Sequence, residues 1–428
     1  MTWNETYLKS LQNLHNDQLY VWQAERLDVF LSQGFPNRKV ENWKYTNVAG
    51  IEKQDFSFDK PVDCDISNFI LNDVYRVVFV NGHFSSALSD LSQLPFGVLL
   101  SSLKTTQRET IKNLISGINY EMTPFSLLND SVFQDGLFLY VPKNCQLKKP
   151  IHLIYLTKPT QPLVMSQTRH LIIIEEKAKA IIFENYQGTH DVTYFNNLVT
   201  QVRVKPSANL HLYKLQQEGN KAFHIANTTI HQAQDSQVMS CHVVIGGSLS
   251  RDDLNYSLDE SGASCQLFGF YHLKDSHHVD NHSRIDHRVS RCISQQNYKG
   301  IVVGRSRAVF NGKIVVHPNA GQTEAHQTNK NLLLSTEAEI DTKPELEIYN
   351  DDVKCSHGAT VGQLNDTALF YLQSRGIDRV TAEYMLTYAF ANEIIEVLPH
   401  PLIAEYMKKG ITQQLATSCC QGHCHAQL

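Results

Sequence analysis

The sequence of 428 residues contains no G-x-x-x-x-G-K-[ST] loop, so ATP hydrolysis by the P-loop route is excluded. It also lacks a G-x-G-x-x-G turn opening a helix after a strand, an H-E-x-x-H zinc motif and a G-x-S-x-G nucleophile elbow. None of the nine cysteines forms a C-x-x-C pair, which argues against a thioredoxin-like or zinc-ribbon unit. The formal charge is only −5, with no clustered Lys and Arg to bind phosphates, so a nucleic-acid surface is not expected. No run approaches the ~18 apolar residues of a membrane span. The opening MTWNETYLKS has neither a basic start nor an apolar stretch, and a cytoplasmic setting with reduced thiols is expected. Together these absences favour a binding or scaffold role over a self-contained enzyme.

What is present divides by period. Leu8, Leu11, Leu14, Leu19, Trp22, Leu27, Phe30 and Leu31 recur at helical spacing, and Gly34 with Pro36 supplies a stop. Residues 1–150 read as a helical and α/β region, in which Trp43 and Tyr45 of NRKVENWKYTNV are taken as core packing. From Ile151 strand-like segments follow one another for about two hundred residues. A small residue in a polar turn precedes an alternating run in EEKAKAIIFE, KPSANLHLYK, QDSQVMSCHV, ESGASCQLFG, GRSRAVFNGK and STEAEIDTKP. Most of these recur at a spacing of about thirty, the signature of a solenoid whose units bury their apolar faces only by stacking. The expected core is therefore a β-helix over 151–363, with a β-sandwich as second choice and an irregular insertion over 264–305. Helical period returns over 364–412. There Arg375-Gly376 breaks two helices, and Leu386, Ala389, Phe390, Ile394 and Val397 form one stripe. A polar Cys/His-rich tail covers 413–428.

Three constellations carry donor atoms. In ELEIYNDDVKCSHGATVG, Leu346 and Ile348 alternate with Glu345 and Glu347, and Asn350-Asp351-Asp352 is a turn signal that resets the phase. Period two then places Val353, Cys355 and His357 on one face, with Lys354 and Ser356 on the other. A thiolate and an imidazole two residues apart on a strand suit one metal ion or cluster edge, whereas a buried cysteine beside a hydrogen-bonded histidine is the plain structural alternative. The stretch HLKDSHHVDNHSRIDHRVSRC holds His272, His277, His278, His282 and His287 with Asp280 and Asp286, and is read as a polar strand in which Asp orients His rather than as a metal site. The tail offers Cys419, Cys420, His423, Cys424 and His425 as soft or borderline donors of adventitious affinity.

KPELEIYNDDVKCSHGATVG, followed by LFYLQSRGI and MLTYAFANEI, resembles the C-terminal signature of the SufB/SufD family of iron–sulfur cluster assembly proteins. QQNYKGIVVGRSRAVFNGKI, HQTNKNLLLS and the N-terminal ENWKYTNV support the resemblance in the family's order. TNKNLLLS stands where SufB carries a cysteine-bearing motif, and with CSHGAT present the likeness is to the SufD side. The resemblance implies a right-handed parallel β-helix between an N-terminal helical region and a C-terminal helical domain. It implies pairing with SufB, docking of the ABC-type ATPase SufC on the C-terminal helices, ATP hydrolysis by that partner, and sulfur arriving indirectly from a cysteine desulfurase. It further implies a transient iron–sulfur cluster shared with the partner, none held tightly by the isolated chain, with His357 and Cys355 at the cluster-forming interface. Phe370, Tyr371, Arg375, Met385, Tyr388 and Phe390 are the expected SufC-docking residues, each also open to internal packing. The isolated chain is expected to be capable of homodimerising along a solenoid edge. Rival readings are a polysaccharide-active β-solenoid enzyme using Asp351 and Asp352, and a metal-binding protein using the histidines and tail.

Overall fold

The computed structural model describes residues 18–117 and 120–420. It is built around two ten-stranded sheets stacked face to face. From Asp135–Val141 onward the main chain alternates between them, so each coil contributes one strand to each sheet and strands in one sheet are parallel neighbours two apart in sequence. The starting edges carry the antiparallel pairs Tyr75–Val80 with His83–Phe84 and Leu99–Ser102 with Asp135–Val141. The first sheet ends with Leu249–Leu258, His278–His287, Arg307–Val316 and Glu339–Ile348. The second ends with Ser264–Leu273, Ile293–Val302, Thr323–Leu333 and Val353–Gly362. This is the parallel β-solenoid that the thirty-residue repeat predicts, with about eight turns. It begins before Ile151, because Tyr75–Val80 and Asp135–Val141 also pair in parallel with solenoid strands.

The repeated small residue has a clear local cause. Lys177, Ser207, Asp235 and Gly262 lie at positive φ and are followed by Ala178, Ala208, Ser236 and Ala263, all buried. The left-handed residue turns the chain sharply, and only a small side chain fits inside the corner before the next strand starts. Successive coils stay in register. Ala180, Leu210, Val238, Cys265, Ser294, Ala325 and Cys355 stack in one inward row, and Ile182, Leu212, Ser240, Leu267, Gln296, Gln327 and His357 in the next. Aliphatic and aromatic members of these rows form the continuous interior core.

The segment 264–305, expected to be irregular, is three regular strands. Its histidines fall in the turn or largely on outward positions, while Leu267, Tyr271, Val279 and Ile285 keep the inward phase apolar. The interior is not wholly apolar, however. Lys214 pairs with Asp252 at 2.9 Å, Asp252 accepts from His242 at 3.0 Å, and Glu218 faces His224 at 2.8 Å, all buried.

Helices cover the outer faces. Gln18–Gln33 and Pro124–Val132 pack Leu27, Phe30, Phe125 and Leu128 on Phe195, Ile225 and Leu249 of the first sheet. On the second sheet, Arg379–Ile395 and Pro401–Cys420 cover Phe183, Leu215, Val243, Phe270 and Ile301 with Ile394, Ile403, Met407 and Ile411. The shorter helix Asp366–Ser374 precedes them, and Gly376 at φ +85° makes the break placed at Arg375-Gly376. The stripe assigned to the middle helix is rotated: Ile394 is buried, but Ala389 and Val397 are exposed, and Ala382, Thr387, Ala391 and Ile395 face the sheet instead. The last helix runs to Cys420, into the segment expected to be tail.

Candidate functional site

Every strand of the solenoid midsection has a neighbour on each side, but Glu339–Ile348 and Val353–Gly362 have one each. They leave a row of backbone N–H and C=O groups unpaired at the same end of both sheets. No residue of these two strands is buried, in contrast to the strands beneath them. Ile348, Tyr349 and Val361 are exposed there. An open edge with exposed apolar side chains is a template for another chain.

The alternation read from the sequence holds at this end for Leu346 but not for Ile348, which is exposed rather than packed on the core. Leu346 packs inward on the core, while Glu345 and Glu347 turn outward to Lys343 and Lys313 at 2.8 and 2.7 Å. Asn350 forms the turn, its side chain accepting from the Asp352 amide at 3.0 Å and donating to the Pro318 carbonyl at 2.6 Å. The outward residues of the last strand are tied to the coil below: Lys354 reaches Glu324 at 3.1 Å, and Ser356 meets His326 at 2.8 Å. Cys355 and His357 take the opposite phase, over Ala325 and Gln327. The Cys355 thiol is free and half-buried against the core, and burial pushes its pKa up. His357 is exposed. The strand therefore brings a soft sulfur donor and an imidazole to one side of the open mouth. Among the described residues no group of three or more His, Cys, Asp or Glu could hold a metal ion.

The histidine-rich strand is structural. Asp280, nine-tenths or more buried, accepts from Thr46 at 2.5 Å and from Arg251 at 2.5 Å, and His282 Nε2 lies 2.9 Å from its Oδ1. Arg251 holds its carboxyl below the ordinary carboxylate range. The same guanidinium lies 3.8 Å over the Trp43 ring and donates to the Asn42 carbonyl, so the aromatic N-terminal segment is clamped to the solenoid at this point. His287 turns inward to Ser294 at 2.8 Å. His272 is buried on the other sheet, lining a cleft of about 470 Å³ with Arg379, Glu383 and Thr387 under the C-terminal helices. Asp286 accepts from Arg284 at 2.7 Å and from His317 at 2.9 Å. His277 lies in the turn before the strand, and His278 meets the Thr46 hydroxyl at 2.9 Å.

Of the expected docking residues, Phe370, Tyr371, Arg375 and Met385 are exposed on the C-terminal helices. Tyr388 and Phe390 are half-buried: Tyr388 stacks on Tyr384, and Phe390 covers the Lys299 ammonium at 4.3 Å. Lys299, which sequence reasoning missed, is buried and bonds to the Phe390 carbonyl and the Glu393 carboxylate, fastening the helix to the sheet. His423, Cys424 and His425 lie outside the described residues, and Cys419 and Cys420 lie in the last turn of the terminal helix.

Residues 155–390 match the model described as SUF system FeS cluster assembly, SufBD core domain, and residues 2–153 match the SufBD protein N-terminal region. The chain belongs to the SufBD family. It is 34% identical over 388 residues to an iron–sulfur cluster assembly SufBD family protein of Synechocystis, covering 87% of this chain and 86% of that protein. It is 32% identical over 397 residues to the iron–sulfur cluster assembly protein SufD of Escherichia coli, covering 91% and 92%. It is 30% identical over 399 residues to a chloroplastic protein of Arabidopsis thaliana, covering 90% and 83%. A SufBD family member is an iron–sulfur cluster assembly component of scaffold type, consistent with the absent nucleotide loop. No described helix is long and apolar enough to cross a membrane.

Proposed function

We propose that this chain is a non-catalytic scaffold subunit that pairs with SufB through the open end of its solenoid, so that nascent iron–sulfur clusters form where the two chains meet. The observation that carries this reading is the unpaired terminal coil, which presents Cys355 and His357 on the inner phase of a sheet edge that needs covering. Cβ atoms at Gly358 and Gly362 would meet nothing within 4 Å in this chain, leaving both backbones open to a second surface. Two donors of different softness and an incomplete shell suit a cargo that must be held and then released, and the partner supplies the remaining ligands.

The exposed Phe370, Tyr371, Arg375 and Met385 form the docking face for the ATPase SufC, which hydrolyses the ATP. Sulfur reaches the complex from a cysteine desulfurase, in the cytoplasm. Lys299 links that face to the sheet, giving a rigid connection between the docked ATPase and the solenoid.

The test is an anaerobic pull-down of the tagged chain with mass spectrometry, followed by iron and acid-labile sulfide determination on the complex. Co-elution of SufB and SufC with cluster on the complex is expected. Recovery of the chain alone, or only as its homodimer, would refute the reading.

A further inference from the structure

The inward row that ends at His357 has an unusual floor. Gln327 lies directly beneath His357 in the parallel register and is 1% exposed. Among the described residues neither its Nε2 nor its Oε1 has a hydrogen-bond partner. Its side chain crosses the interior to the opposite sheet: a Cβ at Gly312 would lie 1.6 Å from Gln327 Nε2, so only glycine leaves room for the amide. Pro344 pairs above Gly312, as His357 pairs above Gln327. The amide is therefore set under the mouth between the last strands of the two sheets.

Its neighbours are better satisfied. In the adjacent inward row Thr342 donates to Asn329 at 2.9 Å, Asn331 donates to Asn329 at 2.6 Å, and Tyr271 donates to Asn331 at 2.5 Å. One coil further in, Gln296 donates across the interior to Ser283 at 2.5 Å. Other interior polar atoms also lack partners among the described residues, Gln296 Oε1 and both amide atoms of Asn227 among them, but Gln327 is the residue set directly beneath His357. A buried primary amide without partners costs stability, and an apolar side chain of similar size would relieve that cost. Retaining the amide against that cost points to a group it serves when the end is covered.

We propose that Gln327 is a positioning residue of the cluster-assembly site. When the partner chain covers the mouth, its amide hydrogen-bonds the His357 imidazole from inside the solenoid and fixes which ring nitrogen is presented to the iron–sulfur cargo. A ring nitrogen that binds metal is oriented by the bond the other nitrogen makes, and an amide can serve either tautomer because it both donates and accepts. This proposal rests on the reading of His357 given above.

The test uses the complex purified anaerobically from cells, with iron and acid-labile sulfide per complex as the activity readout. Gln327→Leu is expected to lower cluster yield about tenfold, in the range for loss of a group that orients a metal ligand. Partner recovery should be unchanged, and the thermal midpoint of the isolated chain unchanged or higher. Gln327→Glu, which keeps an acceptor under the ring, should restore part of the yield. In a His357→Ala background Gln327→Leu should cause no further loss, because both act through one ring. An equal loss in both backgrounds, or a lower thermal midpoint, would make Gln327 a packing residue and overturn the proposal. Full yield from Gln327→Leu alongside a defective His357→Ala would overturn the proposal while leaving the assembly reading intact. Full yield from His357→Ala would overturn that reading itself.

Discussion

Replacing Asp280 by Ala tests whether the histidine-rich strand is a clamp or a metal site. The carboxylate accepts from Thr46 and Arg251 and lies beside His282, and both it and Arg251 are buried. Removing one member of a buried ion pair costs about 3–5 kcal/mol. Arg251 keeps its two bonds to Asp253 at 2.8 and 3.0 Å, and Thr46 keeps His278 at 2.9 Å, so the lower end applies, about 3 kcal/mol. At about 2.1 cal/mol/K of unfolding entropy per residue, a chain of 428 residues loses ~3 °C of thermal midpoint. The effect depends on pH with a definite sign. The folded-state pKa of Asp280 is depressed, so its contribution is present above the ordinary carboxylate range and is lost only as pH falls through the lowered folded value. Wild type and variant should therefore differ throughout the neutral range and converge only in strong acid. The assay is calorimetry between neutral pH and pH 3, with metal analysis of both proteins and limited proteolysis near Trp43. Loss of bound metal with a midpoint shift below about 1 °C would refute the clamp and revive the metal site.

Other substitutions probe other parts of the argument. His357→Ala removes an exposed side chain, so its thermal midpoint should move by less than about 1 °C while cluster yield on the complex falls at least tenfold, as scored by iron and sulfide content. Gly136→Ala would place a Cβ 1.6 Å from the Arg169 carbonyl oxygen, and strain of about 3 kcal/mol or more should appear as poor soluble yield and a lower midpoint by calorimetry. Lys299→Met keeps the apolar stem but drops the bond to the Phe390 carbonyl. Hydrogen exchange should rise in Arg379–Ile395 and SufC recovery should fall, with the solenoid amides unaffected.

The fold was legible where one coil speaks for itself. A small residue after a left-handed corner is a local requirement, so the repeat at Ala178, Ala208, Ser236 and Ala263 could be counted from sequence. The phase of Cys355 and His357 was legible for the same reason, since alternation along a strand needs no knowledge of its neighbours. Contacts between coils were not. Gln327 and His357 are thirty residues apart, and only the register places one beneath the other. Arg251 and Asp280, which clamp Trp43 and Thr46, are joined to them across two hundred residues and leave no periodic trace. The histidine-rich segment reads as irregular from sequence because the small-residue repeat has its one longer gap there, although Val279 and Ile285 keep the strand period.

The open last coil also has a kinetic meaning. In a stack of repeating units each inner layer is held from two sides and the terminal layer from one, so breathing motions begin at the end and decay inward. Glu339–Ile348 and Val353–Gly362 are that terminal layer. In the isolated subunit Cys355 and His357 therefore ride on the layer with the highest opening rate. Capping by a partner changes their position in the stack from last to interior without altering a residue. Amide exchange in Val353–Gly362 should slow on complex formation more than in any other strand of the second sheet. On the proposed pairing, order at the donor pair is a property of the assembled particle, and the lone chain should take up little iron in an anaerobic titration.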